Sequence, residues 1–233
     1  MYVGKKIFVG LESGGKSLMM TRESYENLYR NAREYKKTGV KRPIIGNMAW
    51  SQHFYDKAAQ LGVEVRKWSH IGELPKLEEC DLYIDELQTY FDSRTFADLP
   101  LDVRLWLSQS AKMGVEIVGA TQDFGLVDKS FRRLCNQVYY VQKIVGSRRP
   151  KRTLSGSKFI WGLFIKWSLS PRSFEGEQIE MKSDSIFPSI TFLHKEDIKM
   201  FNTQERVIMS DPPPLIKQVR ICLEDGFTRT KYF

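Results

Sequence analysis

Two periods run through the first 145 residues. Short apolar runs predict strands, and longer stretches with apolar positions three and four apart predict helices. Lys6 to Val9 reads as a short buried strand. A long amphipathic helix begins near Gly15, with Leu18, Met19, Tyr25, Leu28, Tyr29, Ala32 and Tyr35 on or near one stripe. Lys36 and Lys37 in its last turn and Gly39 just beyond are helix-stop signals. Further strands are expected within 80–86, within 114–122 and at 136–145. A helix over 98–112 would pack Leu101, Leu105, Trp106 and Leu107 inward, and a short helix over 127–133 would be entered at Asp128.

Beyond residue 145 the pattern changes. Residues 146–158 read as a loop rich in Gly, Ser, Arg and Lys. Residues 159–169 form a strongly apolar strand with a candidate break at Gly162, and 177–182 a strand that answers it. The expectation is an appended β-hairpin or small β subdomain. Asp211 to Pro214 would close the globular part, and 215–233 would be a peripheral tail with a short strand at 219–223. The expected division is 1–145 core, 146–185 basic loop and hairpin, 186–233 end of core and tail. No internal repeat or low-complexity region is visible.

The chemistry sits where the elements meet. Gly10 to Ser17 (GLESGGKS) satisfies G-x-x-x-x-G-K-[ST] between the first strand and the long helix. In that order, loop amides and the helix N-terminus point at a polyphosphate. Gly10, Gly14 and Gly15 let the backbone approach it. Lys16 would reach the β- and γ-phosphates, and the Ser17 hydroxyl would ligate Mg²⁺. The nucleotide-binding set is Gly10, Ser13, Gly14, Gly15, Lys16, Ser17 and Leu18.

The strand at 80–84 ends in Asp85 and Glu86, a Walker B pattern. Asp85 would hold Mg²⁺, and Glu86 would act as general base toward water. If the strand at 114–121 lies between the two motif strands, Gln122 falls beside the γ-phosphate. Arg132 or Arg133 is either a finger reaching a neighbouring subunit's nucleotide or a surface contact; Arg104 is a third candidate to face a neighbour.

Composition narrows the class. Apolar residues make up 42% of the 233, enough for a core. No apolar run reaches membrane-spanning length, and the start leaves no room for a signal peptide. Cys80, Cys135 and Cys222 are far apart and read as reduced thiols. The net charge of +8 is local: residues 129–174 hold eleven Lys and Arg and no acid, so the rest of the chain sums to −3. Arg148, Arg149, Lys151, Arg152 and Lys158 suit nucleic-acid phosphates, with an anionic membrane surface as the competitor. Trp161, Phe164 and Trp167 are either base-stacking or, the preferred reading, core or interface residues.

Together GLESGGKS, YIDE at 83–86 and GATQDFGLVDKSFRR at 119–133 resemble the zonula occludens toxin-like ATPases, which include the assembly ATPases of filamentous phages. These are relatives of the FtsK–HerA motors and of genome-packaging ATPases of membrane-containing viruses. Residues 43–48 resemble the second core strand of that group, and 201–205 a short motif near its end. The resemblance implies a RecA-like α/β core with a mainly parallel sheet, a hexameric or pentameric ring, and ATP-driven movement of DNA. It also implies the roles given above for Lys16, Ser17, Asp85, Glu86 and Gln122.

Two departures stand out. Glu12-Ser13 replaces a Pro-Gly-type turn, and no membrane anchor follows the ATPase segment. The second favours a packaging motor, or an assembly and extrusion ATPase working with a separate membrane or capsid partner. The expected location is the host cytoplasm, peripheral at the membrane or with the virion. A small-molecule kinase and a non-hydrolysing scaffold are the remaining alternatives.

Overall fold

The computed structural model describes residues 4–152, 159–169, 185–193, 199–201, 219–222 and 228–231. The chain runs β1 (Lys5–Val9), α1 (Lys16–Thr38), β2 (Ile44–Gly46), α2 (Gln52–Leu61), β3 (Val65–Lys67), β4 (Asp81–Ile84) and α3 (Leu101–Gln109). It continues β5 (Glu116–Thr121), α4 (Lys129–Arg133), β6 (Gln137–Arg152), β7 (Phe159–Leu169) and β8 (Ser185–Leu193). β9 (Val219–Cys222) and β10 (Thr228–Lys231) form a separate antiparallel pair.

One eight-stranded sheet has the order β3-β2-β4-β5-β1-β6-β7-β8. β3 through β6 pair in parallel, and β7 and β8 extend the sheet antiparallel. This is the expected α/β core with an antiparallel addition. β5 lies between β4 and β1, as the site requires. The central strands are buried on both faces, because crossover helices cover both sides of a parallel sheet. Phe8, Ile44, Tyr83 and Val118 pack toward α1 and α2, while Ile7, Val9, Leu82, Ile84 and Ile117 pack toward α3. Burial pushes the Cys80 and Cys135 thiols up to about 12. Among the described residues no helix is long and apolar enough to cross a membrane.

Three local expectations need correction. Tyr29 and Tyr35 of α1 are exposed, and the buried stripe includes Thr21, Ser24, Asn27 and Asn31. The sheet beneath the helix offers polar partners: Asn27 donates to the Tyr83 hydroxyl (2.7 Å), Asn31 to Asp81 (2.8 Å), and the Trp50 indole to Ser24 (3.0 Å). In α3, Leu101 and Leu105 are 63% and 52% exposed. The inward face is Val103, Trp106, Leu107 and Ser110, the i, i+3, i+4, i+7 set.

The third correction concerns the basic segment. β6 continues to Arg152, so Arg148, Arg149, Lys151 and Arg152 stand in a strand rather than a loop. Pairing with β7 supplies the ladder that local composition does not predict, with an irregularity between Gly146 and Lys151. Gly162 pairs with Gly146 and Leu193, so β7 is unbroken. Lys158, the strand expected at 177–182 and the tail's Asp211 to Pro214 lie outside the described residues, as does 202–205. Phe201 forms an antiparallel bridge with Trp50, so the chain returns to the core there.

At the end of the sheet opposite the motifs, Asp81 is wholly buried and accepts from Arg30 (2.9 Å), Asn31 (2.8 Å) and Arg42 (2.6 Å). Arg30 also binds Glu116 (2.9 Å), and Arg42 donates to the carbonyls of Gly114 and Cys80. Removing one partner from such a pair strands the other charge. Arg42→Met should therefore cost about 3–5 kcal/mol, against under about 1 kcal/mol for Arg33→Ala on the exposed face of α1. Urea unfolding measures both, and similar losses for the two would refute the role given to the buried network.

Candidate nucleotide site

The site is built at the C-terminal ends of β1, β5 and β4, where open parallel sheets place their ligands. Val9 pairs with Thr121 and Ile84 with Gly119, so the three strands end together. The Gly10 amide donates to the Thr121 carbonyl (3.3 Å), which ties the glycine loop to the end of β5. The loop turns tightly, with the Gly14 amide on the Leu11 carbonyl (3.0 Å). A Cβ on Gly10 would lie 2.5 Å from the Val141 carbonyl oxygen, and one on Gly14 would lie 2.8 Å from that of Leu11. Gly15 is left-handed at φ 93° as the helix N-cap, and Ser13 takes φ 56°.

α1 starts with no side-chain cap and no acid in its first turn. Its amides therefore face the loop without an internal acceptor, which is the arrangement that receives an anion. Leu18 anchors this first turn against the core beside β1. Lys16 is buried, and its Nζ donates to the Leu11 carbonyl (2.9 Å), inside the cradle. Burial pushes the Lys16 ammonium below its ordinary value, while Glu86, Asp85 and Glu12 pull it back up.

Asp85 is buried at the end of β4, with the Ser17 side chain as a neighbour of its carboxyl group. Burial pushes the Asp85 carboxyl up, an effect that Ser17 opposes. Ser17 and Asp85 are thus brought together as an oxygen pair of the kind a hard cation takes. Glu86 is left-handed at φ 52° and half-buried. Its negative charge favours the charged form of Lys16, as do those of Asp85 and Glu12.

Two residues that the sequence reading left without a role hold these acids. Asn47, just past β2, accepts from the Asp85 amide (2.7 Å) and donates to the Asp85 carbonyl (3.0 Å). Gln88 donates to the Glu86 carboxylate. The signal for Asn47 was available: a polar residue at the C-terminal end of a parallel strand next to the Walker B strand.

Gln122 is exposed just past β5, between the two motif strands. Asp128 caps α4 by accepting from the Ser130 amide. Arg132 is buried with its guanidinium 5.5 Å from the Phe124 ring centre, whereas Arg133 is exposed and Arg104 half-buried on α3. The structure does not bring the basic residues 148–152 into this site: they lie at the far end of β6. Their side chains, and those of Trp161, Phe164 and Trp167, lie outside what is described.

No family model and no curated protein matches the chain. Among solved structures it is similar to the N-terminal domain of zonular occludens toxin from Neisseria meningitidis, at 15% identity and a TM-score of 0.55. That match covers 87% of this chain and 100% of the other. A weaker likeness links it to the genome packaging NTPase B204 of Sulfolobus turreted icosahedral virus 2 in complex with AMPPCP. There the identity is 12% and the TM-score 0.46, covering 84% and 99% of the two chains. The first likeness shows the fold: a P-loop α/β domain like that of the toxin.

Two outcomes follow from this geometry. Gly10→Ala drives a methyl into the Val141 carbonyl, so affinity for a nucleoside triphosphate should fall about tenfold or more while the circular dichroism spectrum is kept. Unchanged affinity in a titration would contradict the close approach. For Asp85, the native carboxyl titrates above its unfolded value of about 3.9. Protonated, it favours the native state, and that contribution is lost as pH rises through the native value. Asp85→Asn should therefore raise the melting temperature of the nucleotide-free protein at pH 7, and the gain should vanish below about pH 4. A gain that grew on acidification would reverse the sign.

Proposed function

We propose that the chain is an ATP-hydrolysing, DNA-translocating motor of the kind that packages or assembles viral genomes. One observation carries the nucleotide half of this reading. Lys16, Ser17, Asp85 and Glu86 gather at the C-terminal ends of β1 and β4, on either side of β5, beside a loop that leaves no room for a Cβ on Gly10 or Gly14.

The residues fit ATP with Mg²⁺. Ser17 and Asp85 would hold the cation, which supplies charge neutralisation to the phosphate oxygens. Lys16 would exchange the Leu11 carbonyl for phosphate oxygens. The loop amides and the start of α1 would bind the remaining charge. Glu86 would take a proton from water, and Gln122 would orient that water from the end of β5. A carboxylate directly after the cation-binding Asp favours hydrolysis over transfer to a small molecule.

Arg132 is occupied against Phe124, so Arg133 is the better candidate to reach a neighbouring copy in a hexameric or pentameric ring. The DNA half rests on charge. Arg148, Arg149, Lys151, Arg152 and Lys158 fall in an acid-free tract that would grip phosphates without regard to sequence. The toxin-like fold agrees with the resemblance of the sequence motifs to assembly ATPases. The protein would then work in the host cytoplasm, at a capsid or a membrane partner.

The test is steady-state ATP hydrolysis with and without single- and double-stranded DNA at two salt concentrations. Wild type should turn over and be stimulated by DNA, less so at high salt. Glu86→Gln should bind ATP yet lose about 100-fold or more in rate. Binding without turnover in wild type would favour the scaffold, and a rate that needs a small acceptor and ignores DNA would favour a kinase.

A further inference from the structure

Glu86 must present its carboxylate to water in one orientation, yet its backbone offers little help. It lies in the left-handed region, beyond the last ladder residue of β4, and no glycine relieves that conformation. A flexible two-carbon stem on such a residue needs an external hold.

That hold is present. Residues 87–89 form a short 3₁₀ turn, closed by the Thr89 amide on the Glu86 carbonyl (2.9 Å) and by the Tyr90 and Phe91 amides on the Leu87 carbonyl (both 3.1 Å). Leu87 is wholly buried and sits where a Cβ on Gly119 of β5 would meet it at 3.0 Å. The turn is therefore fixed against the strand between the two motif strands. Gln88 projects from this mount, and its Nε2 donates to Glu86 Oε2.

The amide orientation is settled by charge, since its oxygen would repel the carboxylate while its N–H attracts it. Among the described residues Gln88 has no other hydrogen-bond partner, and its Oε1 is buried without one. A side chain that made its contacts for stability alone would satisfy that oxygen. Gln88 serves Glu86 and nothing else described.

We propose that Gln88 is a positioning residue for hydrolysis: it occupies Oε2 of Glu86 and so leaves Oε1 as the oxygen that takes the proton from water. The two acids of the Walker B strand are thereby held by two different amides, Asn47 on the Asp85 backbone and Gln88 on the Glu86 side chain. This inference rests on the ATPase reading above.

The experiment compares wild type, Gln88→Met, Gln88→Ala and Gln88→Glu in the full chain. Binding is read with a fluorescent ATP analogue, turnover by phosphate release, and folding by thermal melting. Gln88→Met keeps the size and loses the donor. Its kcat should fall about 10- to 100-fold, the loss expected for one charge-assisted hydrogen bond, with KM and analogue affinity changed less than about twofold. Gln88→Ala should match it, and Gln88→Glu should be slower still because two carboxylates then face each other. In a Glu86→Gln background, Gln88→Met should cause no further loss, since the group it positions is gone. An active wild type whose kcat is untouched by Gln88→Met, or a Gln88→Met loss of equal size in the Glu86→Gln background, overturns the assignment of Gln88 alone. A wild type that binds the analogue and never hydrolyses ATP overturns the ATPase reading, and the role of Gln88 with it.

Discussion

The carboxylate of Asp81, buried at the start of β4 and met by Arg30, Asn31 and Arg42, is the constraint on which the rest of the site depends. α1 has two ends with different duties. Its N-terminus carries the glycine loop, while its middle must rest on the sheet at a fixed height and rotation. Apolar packing is tolerant of sliding, whereas hydrogen bonds to a buried charge are directional. Asn31 and Arg30 therefore fix the register of the helix, and Ser24 and Asn27 extend that fixed contact to Trp50 and Tyr83. β4 begins at Asp81 and ends one residue before Asp85. The same short strand thus anchors the helix at one end and presents the acid to Ser17, the second residue of α1, at the other.

This arrangement explains what the sequence makes legible. The strand, glycine loop and helix are readable because each needs a particular residue type at a particular spacing, and Asp85-Glu86 is readable because two acids at the end of an apolar strand are unusual. Hydrophobic periodicity places α1 correctly and its buried face in part: Met19, Leu28 and Ala32 are buried as expected, and Tyr29 and Tyr35 are not. Tyr29 and Tyr35 carry polar tips on apolar bodies and sit at the water boundary, while Asn27 and Asn31 go inward because Tyr83 and Asp81 receive them. Those pairs span 50 and 56 residues of chain, so no local window contains them. In α3 the leucines at 101 and 105 outweigh Val103 in any hydrophobic sum, yet Trp106 sets the inward face by donating to the Leu77 carbonyl (3.2 Å). Gln88 is hidden for a related reason: its value lies in which carboxylate it meets.

The site is also electrostatically unfavourable on its own terms. Burial pushes Lys16 and Asp85 in opposite directions, each toward its neutral form. Lys16 donates to a neutral carbonyl, and the Ser17 side chain opposes the effect of burial on Asp85. Evolution for stability alone would not keep a buried acid beside a second acid in a left-handed backbone. Such an arrangement makes sense where a polyanion and a divalent cation arrive together, because each then supplies the charge its half of the site lacks.

β6 carries this argument out of the site. Its inner end runs parallel to β1, and the Val141 carbonyl forms the wall against Gly10. The same strand continues, through two register shifts against β7, to Arg152, so one strand both touches the glycine loop and bears the basic residues. The addition is fastened to the core along α1 as well. Arg22 donates to the Phe192 carbonyl of β8 (2.9 Å), Lys6 pairs with Glu23, and Lys166 of β7 lies 4.3 Å from the Tyr139 ring centre. These contacts surround a cavity of about 160 Å³ floored by Phe8 and Met19. A shift of α1 is therefore met at β8 through the Arg22 hydrogen bond, and at β6 through the close approach of the glycine loop to the Val141 carbonyl. The helix with its loop and the antiparallel addition are joined at two separate points, which resists independent motion of the two.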